Sequence, residues 1–220
     1  MVPVRARVVA LSGVLASFVL VCAAQVSWSQ TDRLQGLPNF GRVSDSLFRG
    51  AQPTTTGYSA LRNMGVSIIV NFRDERSEIA AEKRQVESTG MKYVGIPWSG
   101  RDEPSNSQVA QFLDLVRANP SAKIFVHCKA GADRTGVMVA AYRIALEHEA
   151  VAEAVAEMHK YHYHWLFLPH LERYVNSLPR LLQADTVFSA YAPTAPTVPA
   201  QLAASPASGD RQPSATSSQR

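Results

Sequence analysis

Cysteine is almost missing from this chain. Its 220 residues include only Cys22 and Cys128, so at most one intrachain disulfide can form and a disulfide-stapled scaffold is excluded. The six histidines lack cysteine partners and the tight spacing of a zinc site, so no metal and no other cofactor is expected. No internal repeat is present. One sign of charge does not dominate either: the formal net charge is +4, and it falls to +2 without Arg5 and Arg7 at the N-terminus. The remaining Lys and Arg form no basic stripe, which argues against a nucleic-acid partner.

Charge is also absent between Arg7 and Asp32, and residues 8–24 are apolar or small throughout. A positive start, an apolar run and the small pair Ala23-Ala24 before Gln25 have the layout of a secretory signal peptide over residues 1–24. A periplasmic or secreted, monomeric protein is expected. An uncleaved anchor is the alternative, because a run of about seventeen residues approaches spanning length, and it would be the chain's one link to a membrane. Lipidation at Cys22 is a third reading, disfavoured by the bulk of Val21. Loss of the leader leaves Cys128 as the lone thiol, so the fold must rest on its core. At the other end, residues 185–220 are rich in Ala, Ser, Thr and Pro, too poor in apolar surface to offset ordering entropy, and are expected to be a disordered tail. Phe188 and Tyr191 are candidates for local docking within it.

What lies between, a linker over 25–39 and one domain over 40–184, alternates in period. Residues 67–71, 93–96 and 123–127 are strand-like, and residues 43–49 suggest an edge strand. Helical stretches cover 56–64, 75–89 and 107–118, ended by Gly65, Gly90 and Asn119-Pro120. Three more cover 135–146, 150–161 and 169–182. The stretch over 107–118 has a clean apolar face at Val109, Phe112, Leu113 and Val116. Strands alternating with helices predict an α/β fold with a mostly parallel central sheet flanked by helices.

The chemistry concentrates in residues 127–136, His-Cys-Lys-Ala-Gly-Ala-Asp-Arg-Thr-Gly. An apolar strand precedes them and an apolar helix follows. A strand that turns through glycines into a helix aims successive N–H groups at one point, with the positive helix end behind it. An anion of phosphate size fits that point, and Arg134 can clamp two of its oxygens. The same field favours a thiolate at Cys128, a nucleophile. Gly131 and Gly136 keep side chains away from the anion. The loop residues Lys129, Ala130, Gly131, Ala132, Asp133 and Arg134 are therefore the expected substrate-binding set, with Lys129 and Asp133 on the rim.

This segment resembles the signature loop of the cysteine-dependent protein tyrosine phosphatase superfamily, His-Cys-x5-Arg-Ser/Thr. Its ending Asp-Arg-Thr-Gly is most similar to the dual-specificity branch, particularly small secreted bacterial members. Sulfurtransferase loops usually lack the Arg-Thr-Gly ending, and arsenate reductases of the low-molecular-weight type carry their loop near the N-terminus. The resemblance implies a dual-specificity-phosphatase-like fold and cleavage of phosphoproteins through a phosphocysteine at Cys128. It implies that Thr135 hydrogen-bonds the Cys128 sulfur, although a helix-start cap explains a threonine there equally well. It implies that His127 holds the loop. The family's general acid is an aspartate on a mobile loop ahead of the signature strand; residues 98–104 occupy that place, with Asp102 expected as the acid and its neighbour Glu103 as the alternative. Inositol phosphates are the second substrate class, kept open by Arg101 and Lys129, and a non-catalytic phosphoprotein-binding module is the reading of another class. Arg49 and Arg73, near strand ends, suit structural ion pairs as well as substrate contacts. Trp98 suits either a stacking surface or a core edge. The histidines 159, 162, 164 and 170 are expected to pack rather than to bind metal.

Overall fold

The computed structural model describes residues 35–191. The leader over 1–24 and the tail beyond 191 lie outside them. β1 (Gly41–Arg42) and β2 (Leu47–Gly50) form a short antiparallel hairpin. β3 (Val66–Asn71), β4 (Lys92–Gly95) and β5 (Lys123–His127) complete one sheet in the order β1-β2-β5-β3-β4, and every pairing except the hairpin is parallel. The edge strand expected over 43–49 needs correction. Residues 43–46 turn, with the N–H groups of Val43 and Ser44 both donating to the Leu47 carbonyl at 2.9 and 3.0 Å. β2 is an inner strand, buried at all four positions, as a parallel strand covered on both faces must be.

Alternation along the strands sends side chains to two separate cores. Ile124 and Val126 of β5 join Leu47, Ile68 and Val70 on one face. That face is covered by α3 (Asn106–Ala118), α4 (Asp133–Leu146), α5 (Val151–Lys160) and α6 (Pro169–Ala184). Phe125 joins Phe48, Val66 and Ile69 on the other face, beneath α1 (Thr55–Asn63) and α2 (Arg76–Ser88). His127, two residues on from Phe125, stacks on its ring at a 5.8 Å centroid distance, which places the histidine on the α1/α2 side. α4 is buried along nearly all its length, the mark of a helix apolar on every side. α1 and α2 stop before Gly65 and Gly90, both at positive φ.

Both outer boundaries shift. Leu37, assigned to a linker, is 4 % exposed and belongs to the α1/α2 core. At the other end residues 185–191 are packed rather than tail: a 3-10 turn (Thr186–Phe188) buries Phe188 fully, and Tyr191 donates to Asp114 of α3. Asp185 accepts from Asn106 Nδ2 at 2.7 Å, and Tyr174 OH donates to Asn106 Oδ1 at 3.0 Å. These contacts fasten the start of α3. Phe188 and Tyr191, the candidates for local docking, are both buried. The four parallel strands all end at one edge of the sheet, and there the connections after β2, β3, β4 and β5 meet, where α/β sheets bind ligands.

Candidate active site

The loop after β5 is held from outside by three residues of the N-terminal hairpin region. Gln52 N–H donates to the Lys129 carbonyl at 3.2 Å, Asn39 Nδ2 to the Ala130 carbonyl at 3.1 Å, and Arg49 Nη2 to the Gly131 carbonyl at 3.1 Å. A trans peptide points its C=O and the next N–H in opposite directions. With three successive carbonyls drawn outward, the N–H groups of Ala130, Gly131 and Ala132 turn inward. Among the described residues none of the N–H groups from Lys129 to Arg134 finds a backbone acceptor. α4 begins without a side-chain cap, so its first donors stay open too. Gly131 is needed twice over: its φ is +68°, and a Cβ there would sit 2.3 Å from the Gly50 carbonyl carbon. Cys128, 3 % exposed, immediately precedes this run of N–H groups.

Arg134 is 8 % exposed and already occupied. Its Nη1 donates to Asp74 Oδ1 at 2.8 Å and to the Trp98 carbonyl at 3.1 Å, with Glu75 Oε1 at 3.9 Å from Nη2. Asp74 follows β3 and is half-exposed. An incoming anion must share or take over this guanidinium. Gly100 lies against the same side chain, where a Cβ would meet Arg134 Cζ at 3.3 Å. The stretch carrying Asp102 is thus laid beside the clamp. Both its ends are fixed, by Gln108 Nε2 donating to the Pro97 carbonyl at 2.6 Å and by the Ser105 capping box of α3. Between them Asp102 is exposed in a turn closed by its N–H on the Ser99 carbonyl at 3.3 Å. Glu103 is exposed as well, but acts on Tyr174: burial first, then the charges of Glu103 and Asp185, push that phenol upward. Asp102 and Glu103 are therefore both open to solvent in this stretch. Trp98 is 5 % exposed and part of the core, so it offers no stacking surface.

His127 is fully buried, with Nδ1 3.3 Å from the Cys128 carbonyl and Nε2 2.8 Å from Glu82 Oε1. The second contact is at ion-pair distance but off the hydrogen-bonding direction. Glu82, on α2, also accepts from Tyr58 OH at 2.7 Å and Asn71 Nδ2 at 2.5 Å. Burial alone would raise its carboxyl; His127, Tyr58 and Gln52 outweigh that and hold it below the usual carboxylate range. His127 thus braces the loop against α2. Thr135 is fully buried, and its Oγ1 has no partner among the described residues. The structure does not join it to the Cys128 sulfur. Nor does it cap α4, whose cap position is Ala132.

A family model described as DSP-PTPase phosphatase fused to NAD+ kinase matches residues 31–165. The chain belongs to this DSP-PTPase family. Dual specificity protein phosphatase 26 of Homo sapiens is 26% identical over 122 residues, 53% of this chain and 56% of that protein. Dual specificity protein phosphatase TpbA of Pseudomonas aeruginosa is 27% identical over 125 residues, 56% of this chain and 54% of that protein. The chain therefore spans about half the length of the curated relatives it matches. A crystal structure of a P. aeruginosa TpbA variant in complex with pTyr superposes at a TM-score of 0.58 with 20% identity, covering 73% of this chain and 98% of that one. At that identity the likeness is one of fold.

The remaining loop residues of this DSP-PTPase domain fall into place on that frame. Lys129 and Ala130 are exposed at the rim. Asp133 is tied to the α5–α6 connection, accepting from the His164 N–H at 2.9 Å, with His164 Nδ1 at 3.0 Å. His159 approaches Glu172 at 3.2 Å and packs edge-on to Tyr163. Arg49 is the buried brace of the loop rather than a substrate contact. Burial pulls its guanidinium below the ordinary value, while Glu157, Tyr161 and Cys128 act in the opposite sense, and its Cζ lies 3.9 Å over the Tyr161 ring. Arg73 is likewise spent on Gln52, Glu75 and Glu78. Sequence reasoning missed Asn39, Asp74 and Glu82. Asp74 carried one usable signal, an acidic residue just past a strand's carboxyl end.

Proposed function

We propose that this chain is a phosphomonoester hydrolase acting on phosphoproteins, phosphotyrosine ahead of phosphoserine and phosphothreonine, through a phosphocysteine at Cys128. The observation that carries the reading is the run of inward N–H groups that follows a buried cysteine, with Arg134 at its end. The names of the relatives support the same activity, and the pTyr complex of TpbA supports the ligand class. In the first step the Cys128 sulfur bonds to phosphorus as the ester P–O bond breaks, and the leaving oxygen takes a proton from Asp102. The N–H groups and the Arg134 fork carry the charge of the three equatorial oxygens and need little rearrangement to do so. In the second step water attacks phosphorus and gives a proton to Asp102, and the sulfur leaves as thiolate.

Turnover of para-nitrophenyl phosphate, undiminished in EDTA, tests the reading. Phosphopeptide binding without turnover would favour the non-catalytic module. A kcat/KM panel in which an inositol polyphosphate overtakes phosphotyrosine would favour the other substrate class. For the acid, Asp102→Asn is expected to lower kcat by about 10²-fold and to flatten the basic limb of the pH profile. The loss should shrink on substrates whose leaving group needs no proton. If Glu103→Gln behaves this way and Asp102→Asn does not, the acid is Glu103.

Export is part of the same proposal, supported by the apolar run over 8–24. Mass spectrometry should find a soluble chain beginning near Gln25. Met1 retained in the membrane pellet would mean an anchor, and a diacylated Cys22 a lipoprotein.

A further inference from the structure

The α5–α6 connection places its most apolar residues in solvent. Trp165, Leu166 and Phe167 are 52 %, 67 % and 80 % exposed and stand consecutively, and with Val187 they make up the exposed large hydrophobics among the described residues. The loop beneath them is firmly built. Trp165 N–H donates to the Tyr163 carbonyl, and the N–H groups of Phe167 and Leu168 both donate to the His164 carbonyl, each at 3.0 Å. Tyr163 is 4 % exposed, donates to the Leu168 carbonyl and accepts from the Glu172 N–H at 3.2 Å. His159 sits within 6.5 Å of the Trp165 ring. A tight, hydrogen-bonded loop that holds three large apolar side chains in water has a use for them outside the fold.

Its position says what that use is. His164, the residue just before the triad, grips Asp133 through both its backbone N–H and its ring. Asp133 belongs to the anion loop and immediately precedes Arg134. The apolar triad is therefore continuous with the rim of the phosphate site. With Trp98 buried in the core, these are the exposed aromatic side chains joined to that rim. We propose that Trp165, Leu166 and Phe167 form a docking surface for apolar side chains next to the phosphorylated residue of a protein substrate, so that the enzyme selects phosphosites with apolar flanks. The proposal rests on the phosphatase reading and adds a substrate class to it.

The test compares the full chain with Trp165→Ala/Phe167→Ala on para-nitrophenyl phosphate and on two phosphotyrosine peptides, one flanked by Leu and Phe, one by Asp and Ser. The native protein should prefer the apolar peptide. The double variant should raise KM for that peptide by about tenfold, leave its kcat little changed and erase the preference. Turnover of the small aryl phosphate, which carries no flanking side chains, should stay within about twofold. Equal losses on all three substrates would mean a structural role and overturn the proposal. So would a native enzyme that turns over aryl phosphate yet shows no flank preference. Triad-dependent sedimentation with phosphatidylglycerol vesicles, without any effect on peptides, would assign the surface to a membrane instead. Absence of aryl phosphate turnover by the native chain would sink the phosphatase reading itself, and this proposal with it.

Discussion

Replacing Cys128 by serine is expected to lower kcat by about 10⁴-fold or more, while inorganic phosphate still binds with an affinity within about threefold of the native protein. Both halves follow from the division of labour in the loop. On the proposed mechanism the Cys128 sulfur forms the covalent bond, and a serine hydroxyl, un-ionised at neutral pH, is a far weaker nucleophile. The anion, by contrast, is proposed to sit on N–H groups whose preceding carbonyls are tethered to Gln52, Asn39 and Arg49, and none of those tethers involves the sulfur. Burst kinetics on the native protein and calorimetric titration of the variant with phosphate measure the two effects separately. Retention of a tenth of the native rate would remove the phosphocysteine mechanism. Loss of phosphate binding would mean that the thiolate, rather than the backbone, organises the pocket.

Arg134→Lys is expected to lose about 10²- to 10³-fold in kcat/KM and to weaken phosphate binding as well. Lysine keeps the charge but not the planar fork, and it cannot serve an equatorial oxygen, Asp74 and the Trp98 carbonyl together. The native guanidinium already spans Asp74 at 2.8 Å and the Trp98 carbonyl at 3.1 Å, linking the anion site to the stretch that carries Asp102. The variant should therefore also loosen the acid's placement, visible as a steeper dependence of rate on leaving-group pKa. A loss below tenfold, with that dependence unchanged, would show that charge alone suffices at this position.

What the sequence made legible was contiguous. The strand over 123–127, the turn and the helix that follows are consecutive residues whose geometry is set locally, so Cys128, Arg134 and the direction of the N–H groups could be read from the chain itself. Most helices stand within a residue or two of their expected bounds for the same reason. The residues that were not legible act at a distance. Asn39 is 91 positions from the carbonyl it holds and Arg49 is 82 from its own, and no period or motif announces such a pairing. Glu82 looks like one more charge on a polar helix until α2 packs back on the sheet beside β4 and the carboxylate meets His127. The expected bond from Thr135 to the Cys128 sulfur came from the family rather than from the residues, and the structure leaves that hydroxyl unpartnered.

The three outward tethers also bear on how the molecule matures. The loop's last form depends on the segment around residues 39–52, which must first settle beside β5 across a large sequence separation, the slow kind of contact in folding. Until it does, the carbonyls of Lys129, Ala130 and Gly131 are free to rotate, and the donors they control scatter. Competence to hold an anion is therefore among the last properties the chain acquires and, on local opening of the hairpin, among the first it gives up. A polypeptide that emerges N-terminus first has already made the tethering segment before β5 exists, but the two can meet only once β5 and the loop have followed it.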